Sequence, residues 1–394
     1  MKYEDLGVSP IINACGTVTR LGGAAIREEA LQAWMQASQR AVAIEELQVA
    51  VSSKLAAWTG AEAGLIASGA AAALTLGTAA ILAGLDPARM QQLPCTDSFA
   101  NEILVARDQR SGYDHAVRAA GARLVEVGMN EVVSGAGVRR VEPWEYAPAI
   151  TDRTAGILYV QTEQARPRLA DVMDVAREHG LPVIVDAAGE LPPPENIRKF
   201  VDSGADLIAW SGGKAIGGPQ ASGILLGKRD LVGSALLQML DMDDHPKLWK
   251  PPPELLQDES IAGMPRHGIG RAMKVSKETI MALMTSLELF LNEDHGVKEQ
   301  HAVNLLNTIH QALAAEGISA ELQTRQGTMP RLHVSVSVEQ DAFDVCQQLR
   351  NGDPRIFVGH GRLDDGILEI NTVALRENEV PSLIQALVTH LGTC

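Results

Sequence analysis

The stretch Val183-Ile184-Val185-Asp186-Ala187-Ala188, followed by the apolar run Ala205 to Trp210 and then by Ser211-Gly212-Gly213-Lys214-Ala215-Ile216-Gly217-Gly218-Pro219-Gln220, decides how this chain is read. Both apolar runs are short and nearly continuous, as strands covered on both faces are. One delivers a carboxylate at its carboxyl end and the other a lysine in a glycine-rich loop. Ligand sites of open α/β sheets form at such strand ends.

Outward from this pair the same rhythm holds from about Gly60 to Gly227. Further strands are expected at Gly64 to Ala67, Ile103 to Ala106, Arg123 to Val127, Gly156 to Gln161 and Gly223 to Leu226, with Pro182 to Asp186 and Leu207 to Ala209 as the central two. Strands alternating with helical patterns predict a mostly parallel seven-stranded α/β sheet. Asp241-Met242-Asp243-Asp244 and Pro251-Pro252-Pro253 break the rhythm, so Leu231 to Pro265 reads as an irregular excursion. Two long helical patterns then run to about Ala315. Strands at Leu332 to Val338, Arg355 to Gly359 and Ile367 to Asn371, with helices at Ala342 to Arg350 and Glu377 to Leu391, make a smaller α+β domain. The expected division is an N-terminal segment 1–45, a large α/β domain 46–265 and a small C-terminal domain 266–394.

Lys214 sits among small residues at a strand end, so its amine is uncrowded. Such a lysine can form a Schiff base with an aldehyde cofactor when burial and neighbours leave it deprotonated. A glycine-rich loop with a lysine could equally grip a phosphate, but the G-x-x-x-x-G-K-[ST] order of a nucleotide loop is missing. Asp186, 28 residues upstream, could hold a pyridinium nitrogen protonated, or could simply cap a turn. Ile66-Ala67-Ser68-Gly69-Ala70 passes from strand to a small-residue helix start, whose free N–H groups suit a phosphate. Each signal is weak alone; their order along one α/β domain gives them weight.

The bulk numbers narrow the field. A length of 394 residues with 46% hydrophobic content supports a large core and a second, smaller domain, and a formal charge of −15 opposes binding to nucleic acid or an anionic membrane. Cys15, Cys95, Cys346 and Cys394 lie far apart, without metal-site or disulfide-framework spacing, and the ten histidines form no H-E-x-x-H cluster. No metal is expected. The N-terminus lacks the pattern of a secretory signal and no apolar run reaches the ~18 residues that span a bilayer, which predicts a cytoplasmic protein.

Taken together, these residues resemble the fold type I pyridoxal 5′-phosphate (PLP) enzymes, and within them the selenocysteine synthase-like family. The resemblance extends over nearly the whole chain. It runs through Ile12-Asn13-Ala14-Cys15-Gly16-Thr17 and Thr19-Arg20-Leu21-Gly22-Gly23, Thr59-Gly60-Ala61-Glu62-Ala63, Tyr113-Asp114-His115-Ala116-Val117-Arg118, the Asp186 and Lys214 segments, and Gly268-Ile269-Gly270-Arg271-Ala272-Met273-Lys274. It implies an aspartate aminotransferase-like fold and PLP as cofactor. Lys214 would carry the cofactor and act as base, Asp186 would face the pyridine nitrogen with Ala188 beside it, and Ser68, Gly69, Ala70 and Ser211 would cradle the phosphate. Arg20, Arg266 and Arg271 would recognise an anionic substrate. Many such enzymes stack a histidine or aromatic ring on the cofactor after the strand that here ends near Ala106. Here Gln109, Tyr113 and His115 compete for that place.

The implied reaction is loss of water and ammonia from an amino acid or amino sugar acid such as D-glucosaminate 6-phosphate, giving a 2-keto-3-deoxy acid. Racemisation or epimerisation is the alternative, needing a second acid such as His115 or Cys15 opposite Lys214. Selenium transfer on aminoacylated tRNA fits less well, because of the acidic charge and because the chain starts almost at the family's core motif. A homodimer or larger ring of dimers is implied, with the segment through Arg20 reaching a neighbouring site.

Overall fold

The computed structural model describes residues 1–129, 139–256, 261–325 and 328–392; Cys394 and residues 257–260 of the expected excursion lie outside them. Two compact units emerge, one of residues 27–288 and one joining 1–26 to 289–394. In chain order the strands are β1 (Ile11–Ala14), β2 (Ala63–Ala67), β3 (Glu102–Ala106), β4 (Arg123–Val127), β5 (Thr154–Val160), β6 (Val183–Asp186), β7 (Leu207–Ser211), β8 (Gly223–Gly227), β9 (Ala320–Gln323), β10 (Arg331–Ser335), β11 (Arg355–Val358) and β12 (Ile367–Asn371).

The larger unit is built on a seven-stranded sheet in the order β2-β8-β7-β6-β5-β3-β4. Five strands, β7 to β4 in that order, pair in parallel; β8 runs antiparallel to both β2 and β7. Strands β2, β3 and β8 are buried at every residue, as their apolar runs, broken only by Glu102 at the start of β3, require when helices cover both faces. The helix Ala70–Ala83 lies against the sheet because its residues are small. A Cβ at Gly77 would stand 2.6 Å from Ile184 Cδ1 and 3.1 Å from Leu207 Cδ1, so glycine is what lets the helix approach β6 and β7. At the opposite strand ends, buried Asp206 binds the sheet together: its carboxylate accepts the Val183 N–H at 2.7 Å and meets Lys228 Nζ at 2.5 Å.

Two features of this unit differ from expectation. Arg229–Met239 is a helix within the stretch read as an irregular excursion, with Val232, Ala235, Leu236 and Leu237 fully buried. Its apolar periodicity continues past β8 and outweighs the proline and aspartate signals, which act only after Met239. Residues 27–45 and 266–288 also belong to this unit rather than to flanking segments. Arg27 Nε donates to the Ile216 carbonyl at 3.3 Å, and Ser286 Oγ donates to the Gly217 carbonyl at 3.1 Å.

The smaller unit holds a three-stranded antiparallel sheet, β12-β10-β9, and a separate parallel pair, β1 with β11. Leu332, Val334, Leu368 and Ile370 from the sheet pack with Ile309, Leu313, Val345, Leu349, Leu383 and Leu387 from the helices His295–Ala315, Ala342–Asn351 and Val380–Leu391. The last of these starts at Val380 rather than Glu377, because Pro381 fits only a first helical turn. β1 explains why the first residues join the last ones: its backbone groups find their partners in β11.

Candidate active site

The carboxyl ends of the parallel strands meet along one edge of the larger sheet. Gly223 opens β8 there, with Ala67 of β2 opposite it on one side and Ser211 of β7 on the other. Ser68, Gly69 and Ala70 therefore leave β2 beside Gly223, with Ser211 on the far side of β8 at the same end of the sheet. The approach is close: a Cβ at Gly223 would stand 2.3 Å from the Gly69 carbonyl carbon and 2.6 Å from the Ala70 nitrogen. Gly69 itself has φ 140° and ψ 169°, a conformation open in practice only to glycine.

Gly69 caps the helix Ala70–Ala83 without a side-chain hydrogen bond, and no acidic side chain occupies its first turn. The N–H groups there lack the acceptor a serine or aspartate cap would give, and the helix dipole adds positive potential. A phosphate group fits this donor set, held by backbone alone where Cβ atoms would intrude.

One strand beyond β7, Asp186 ends β6 opposite Ala209. Its carboxylate accepts the Ala188 N–H at 3.0 Å. Burial pushes the Asp186 carboxyl up, against the Ala188 hydrogen bond and the charge of Lys214, which both act to lower it. A half-buried carboxylate within the field of a lysine is suited to a cationic ring nitrogen, which would remove the desolvation cost. Lys214 is half-buried in the loop after β7; its carbonyl accepts the Gly217 N–H at 2.9 Å, while its amine has no hydrogen-bond or ion-pair partner among the described residues. The residues present therefore fit the PLP group.

Glu190 was missed in the sequence. Half-buried four residues after Asp186, it too is pushed up by burial and by the Asp186 charge, with Lys199 and Lys214 opposing. Two carboxylates thus share the field of Lys214. Its only signal in the sequence was its place in Asp186-Ala187-Ala188-Gly189-Glu190.

Among the three residues that compete to cover the cofactor ring, Gln109 alone is buried. Its amide oxygen accepts the N–H of Val160, the β5 residue that pairs with Asp186, at 2.9 Å, and its amide nitrogen donates to the Arg166 carbonyl at 3.4 Å. Tyr113 is 62% exposed and His115 is exposed beside Arg118. A cavity of about 320 Å³ adjoins Gln109 at these strand ends, lined also by Asp108, Arg110, Ser111, Arg140 and Thr162. Arg140 faces Asp108 across 3.6 Å, and burial pushes the Asp108 carboxyl up despite that charge.

The three arginines are placed differently. Arg271 donates to the Asp241 carboxylate at 2.6 Å, Arg266 is exposed, and Arg20 belongs to the smaller unit, over the Phe357 ring. Asp241, Asp243 and His267 have ligand atoms within 4.8 Å of one another, a grouping that sequence spacing did not suggest, but all three are exposed and Asp241 is already paired with Arg271. Cys15, in the smaller unit, has its thiol pushed up to about 11, by burial first. No described helix is long and apolar enough to cross a membrane.

Known proteins resemble this chain over most of its length. Residues 113–242 match the family described as SelA: L-seryl-tRNA selenium transferase. D-glucosaminate-6-phosphate ammonia lyase of Salmonella typhimurium (strain 14028s / SGSC 2262) is 29% identical over 98% of this chain and 96% of its own. The 5′-C-glycyluridine monooxygenase-decarboxylase of a Streptomyces species is 30% identical over 100% of this chain and 93% of its own. L-seryl-tRNA(Sec) selenium transferase of Geotalea uraniireducens (strain Rf4) is 28% identical over 84% of this chain and 70% of its own. Among solved structures, a D-glucosaminate-6-phosphate ammonia-lyase superposes with TM-score 0.81 at 28% identity, covering 99% of this chain and 97% of that one. The Escherichia coli cysteine desulfurase CsdA, at 16% identity and TM-score 0.56 over 97% of this chain and 95% of its own, shares the fold. With a full-length relative at 30% identity and the lysine, carboxylate and phosphate cradle of the resemblance on one sheet edge, this chain belongs to the selenocysteine synthase-like family of fold type I PLP-dependent enzymes.

Proposed function

We propose that this enzyme is an ammonia-lyase that eliminates water from an amino sugar acid, of which D-glucosaminate 6-phosphate is the first candidate, and takes up one water as ammonia leaves, so that the net change is loss of ammonia to give a 2-keto-3-deoxy acid. The observation that carries the reading is the meeting of Lys214, the half-buried Asp186 and an uncapped helix N-terminus at one strand edge. The relative named for this reaction is full-length in sequence and superposes over nearly the whole chain, which supports the substrate class.

When bound, PLP supplies an aldehyde that takes up an amine and a ring that withdraws electrons from the substrate α-carbon. Ser68, Gly69, Ala70 and Ser211 would hold its phosphate. Asp186 would keep a proton on the ring nitrogen, with Ala188 N–H fixing the carboxylate. Gln109, fastened to Val160, would cover the ring. Lys214 Nζ is the base that takes the α-proton, and its freedom from other partners leaves it available. The substrate loses that proton and its β-hydroxyl as water, and a second water replaces the nitrogen, so the net products are the 2-keto-3-deoxy acid and ammonia. The cavity at Gln109 is lined by Arg140 and Arg110, whose guanidinium groups are already paired with Asp108 and with Asp114 and Glu126, and so offers hydrogen-bond donors more than net positive charge to the substrate. A homodimer or larger assembly belongs to the same reading. The helix Glu28–Ser38 buries only Ala30 and leaves Leu31, Trp34 and Met35 exposed, a face suited to a second copy.

The test is a visible spectrum of the wild type and Lys214→Ala with added PLP, followed by an assay of D-glucosaminate with and without its 6-phosphate, and of D- and L-amino acids. A lysine-dependent absorbance band with keto acid and ammonia from a sugar acid is the expected result. A band with only inverted amino acid would replace the lyase by a racemase, and oxygen uptake with carbon dioxide release would favour chemistry like that named for the Streptomyces relative. Absence of any band would refute the cofactor assignment.

A further inference from the structure

The smaller unit contains a cavity of its own, about 520 Å³ in volume, lined among others by Arg20, Arg350, Arg355, Phe357 and Cys346. The arginines come from distant parts of the sequence. Arg20 follows β1, Arg350 lies in the last turn of the helix Ala342–Asn351, and Arg355 opens β11. Parallel pairing of β1 with β11 brings these segments together.

All three guanidinium groups gather on one ring: their central carbons stand 5.6, 5.5 and 5.6 Å from the centre of buried Phe357. No two of the charges can then be further apart than twice that distance. Among the described residues none of the three is paired with a carboxylate. Arg350 Nε is buried with no hydrogen-bond partner, while Arg355 Nε donates to the Arg350 carbonyl at 3.1 Å and is thereby held at the helix end. The thiols nearby supply no compensating charge, since burial pushes both Cys15 and Cys346 up.

Cation–π contact with one ring offsets only part of the repulsion among three clustered cations. A dianion with several terminal oxygens would offset the rest and would give the Arg350 Nε–H an acceptor. We propose that this cavity is a phosphomonoester-binding site, with Arg20, Arg350 and Arg355 as its ligands and Phe357 as the platform that holds them. The phosphate group could belong to the substrate or to a separate phosphorylated metabolite.

The experiment is calorimetric titration of inorganic phosphate into protein loaded with PLP, so that the phosphate cradle at Gly69 is already filled. Arg355→Gln is the principal variant because Arg355 is exposed and its loss leaves the core intact; Arg350→Gln and Arg355→Lys accompany it. Saturable binding that weakens roughly tenfold in each glutamine variant, and less in Arg355→Lys, is expected, since charge-assisted hydrogen bonds of this kind are lost. Absence of saturable binding in the wild type, or equal binding in wild type and both glutamine variants, would overturn the proposal. Two further outcomes identify the source and each supports the site. A KM raised by Arg355→Gln for a phosphorylated substrate alone assigns it to the substrate's phosphate, whereas phosphate binding that persists at saturating substrate assigns it to a separate ligand. The test of the site itself is binding rather than turnover, so that result stands apart from the lyase assignment; only the KM comparison, which identifies the source, rests on it.

Discussion

Replacing Gly223 by alanine isolates the part of the site that depends on backbone contact. The new methyl carbon would meet three backbone atoms of Gly69 and Ala70, at 2.3, 2.5 and 2.6 Å, where ordinary van der Waals contact begins near 3.4 Å. No flexible side chain is there to yield, so β8 or the helix entry must move by most of an ångström. Overpacking of this kind costs roughly 1–3 kcal/mol. Alanine recovers about 0.4–1 kcal/mol of this by restricting the unfolded chain. The net loss of about 1–2 kcal/mol should lower the melting midpoint of cofactor-free protein by roughly 1–3 °C. Cofactor binding should suffer as well, because the displaced N–H groups are those that would face its phosphate; displacement approaching 1 Å can cost up to ~100-fold. Thermal denaturation without PLP and a spectrophotometric PLP titration measure the two effects. A Gly223→Ala protein with unchanged midpoint and unchanged PLP affinity would refute the argument that this close approach builds the cradle.

Asp186→Asn tests the electrostatics with the sign worked out. Burial raises the folded carboxyl above its unfolded value, so charging it opposes folding and wild-type stability is lost as pH rises through that range. The asparagine variant, free of cofactor, should gain stability relative to wild type as pH climbs above the usual carboxylate range, while losing turnover with PLP; denaturation curves in which wild type gains instead would contradict this. Asp206→Ala should cost roughly 1.5–3 kcal/mol in chemical denaturation, because the buried Val183 N–H loses a charged acceptor. Gln109→Ala should unfasten Val160 from the loop after β3, at a cost of about 1 kcal/mol for the lost neutral hydrogen bond, and shift the PLP absorbance maximum. Unchanged spectra would show that another residue covers the ring.

The sheet was readable because most of its strands have the apolar continuity that burial on both faces demands, the edge strand Arg123–Val127 being the polar and partly exposed exception, and Asp186 and Lys214 were readable because polar residues at such strand ends stand out. Gly223-Ile224-Leu225-Leu226 looked like every other strand, and nothing local in it discloses that β8 runs against its neighbours. Strand β1, Ile-Ile-Asn-Ala, has no alternation and acquires its identity only from β11, over three hundred residues away. Ala320–Gln323 is half-exposed and too polar to announce a strand. The ring-covering residue was undecided because Gln109, Tyr113 and His115 share one loop, and only the fold buries the first of them. Glu190 and the Arg350–Arg355 pair escaped notice for the same reason: charge in a sequence carries no record of what will lie beside it.

The pairing of β1 with β11 also orders events at birth. Ile11–Ala14 is synthesised early, but Arg355–Val358, its hydrogen-bonding partner, is made 344 residues later. At roughly 5–20 residues per second the first strand waits about twenty seconds to a minute with its backbone groups unpaired, while residues 27–288 can already complete their sheet. An early strand edge of this kind invites pairing with other nascent chains. A circular permutant that places residues 1–26 after the natural C-terminus would abolish the wait, and its yield on rapid expression would measure what the wait costs.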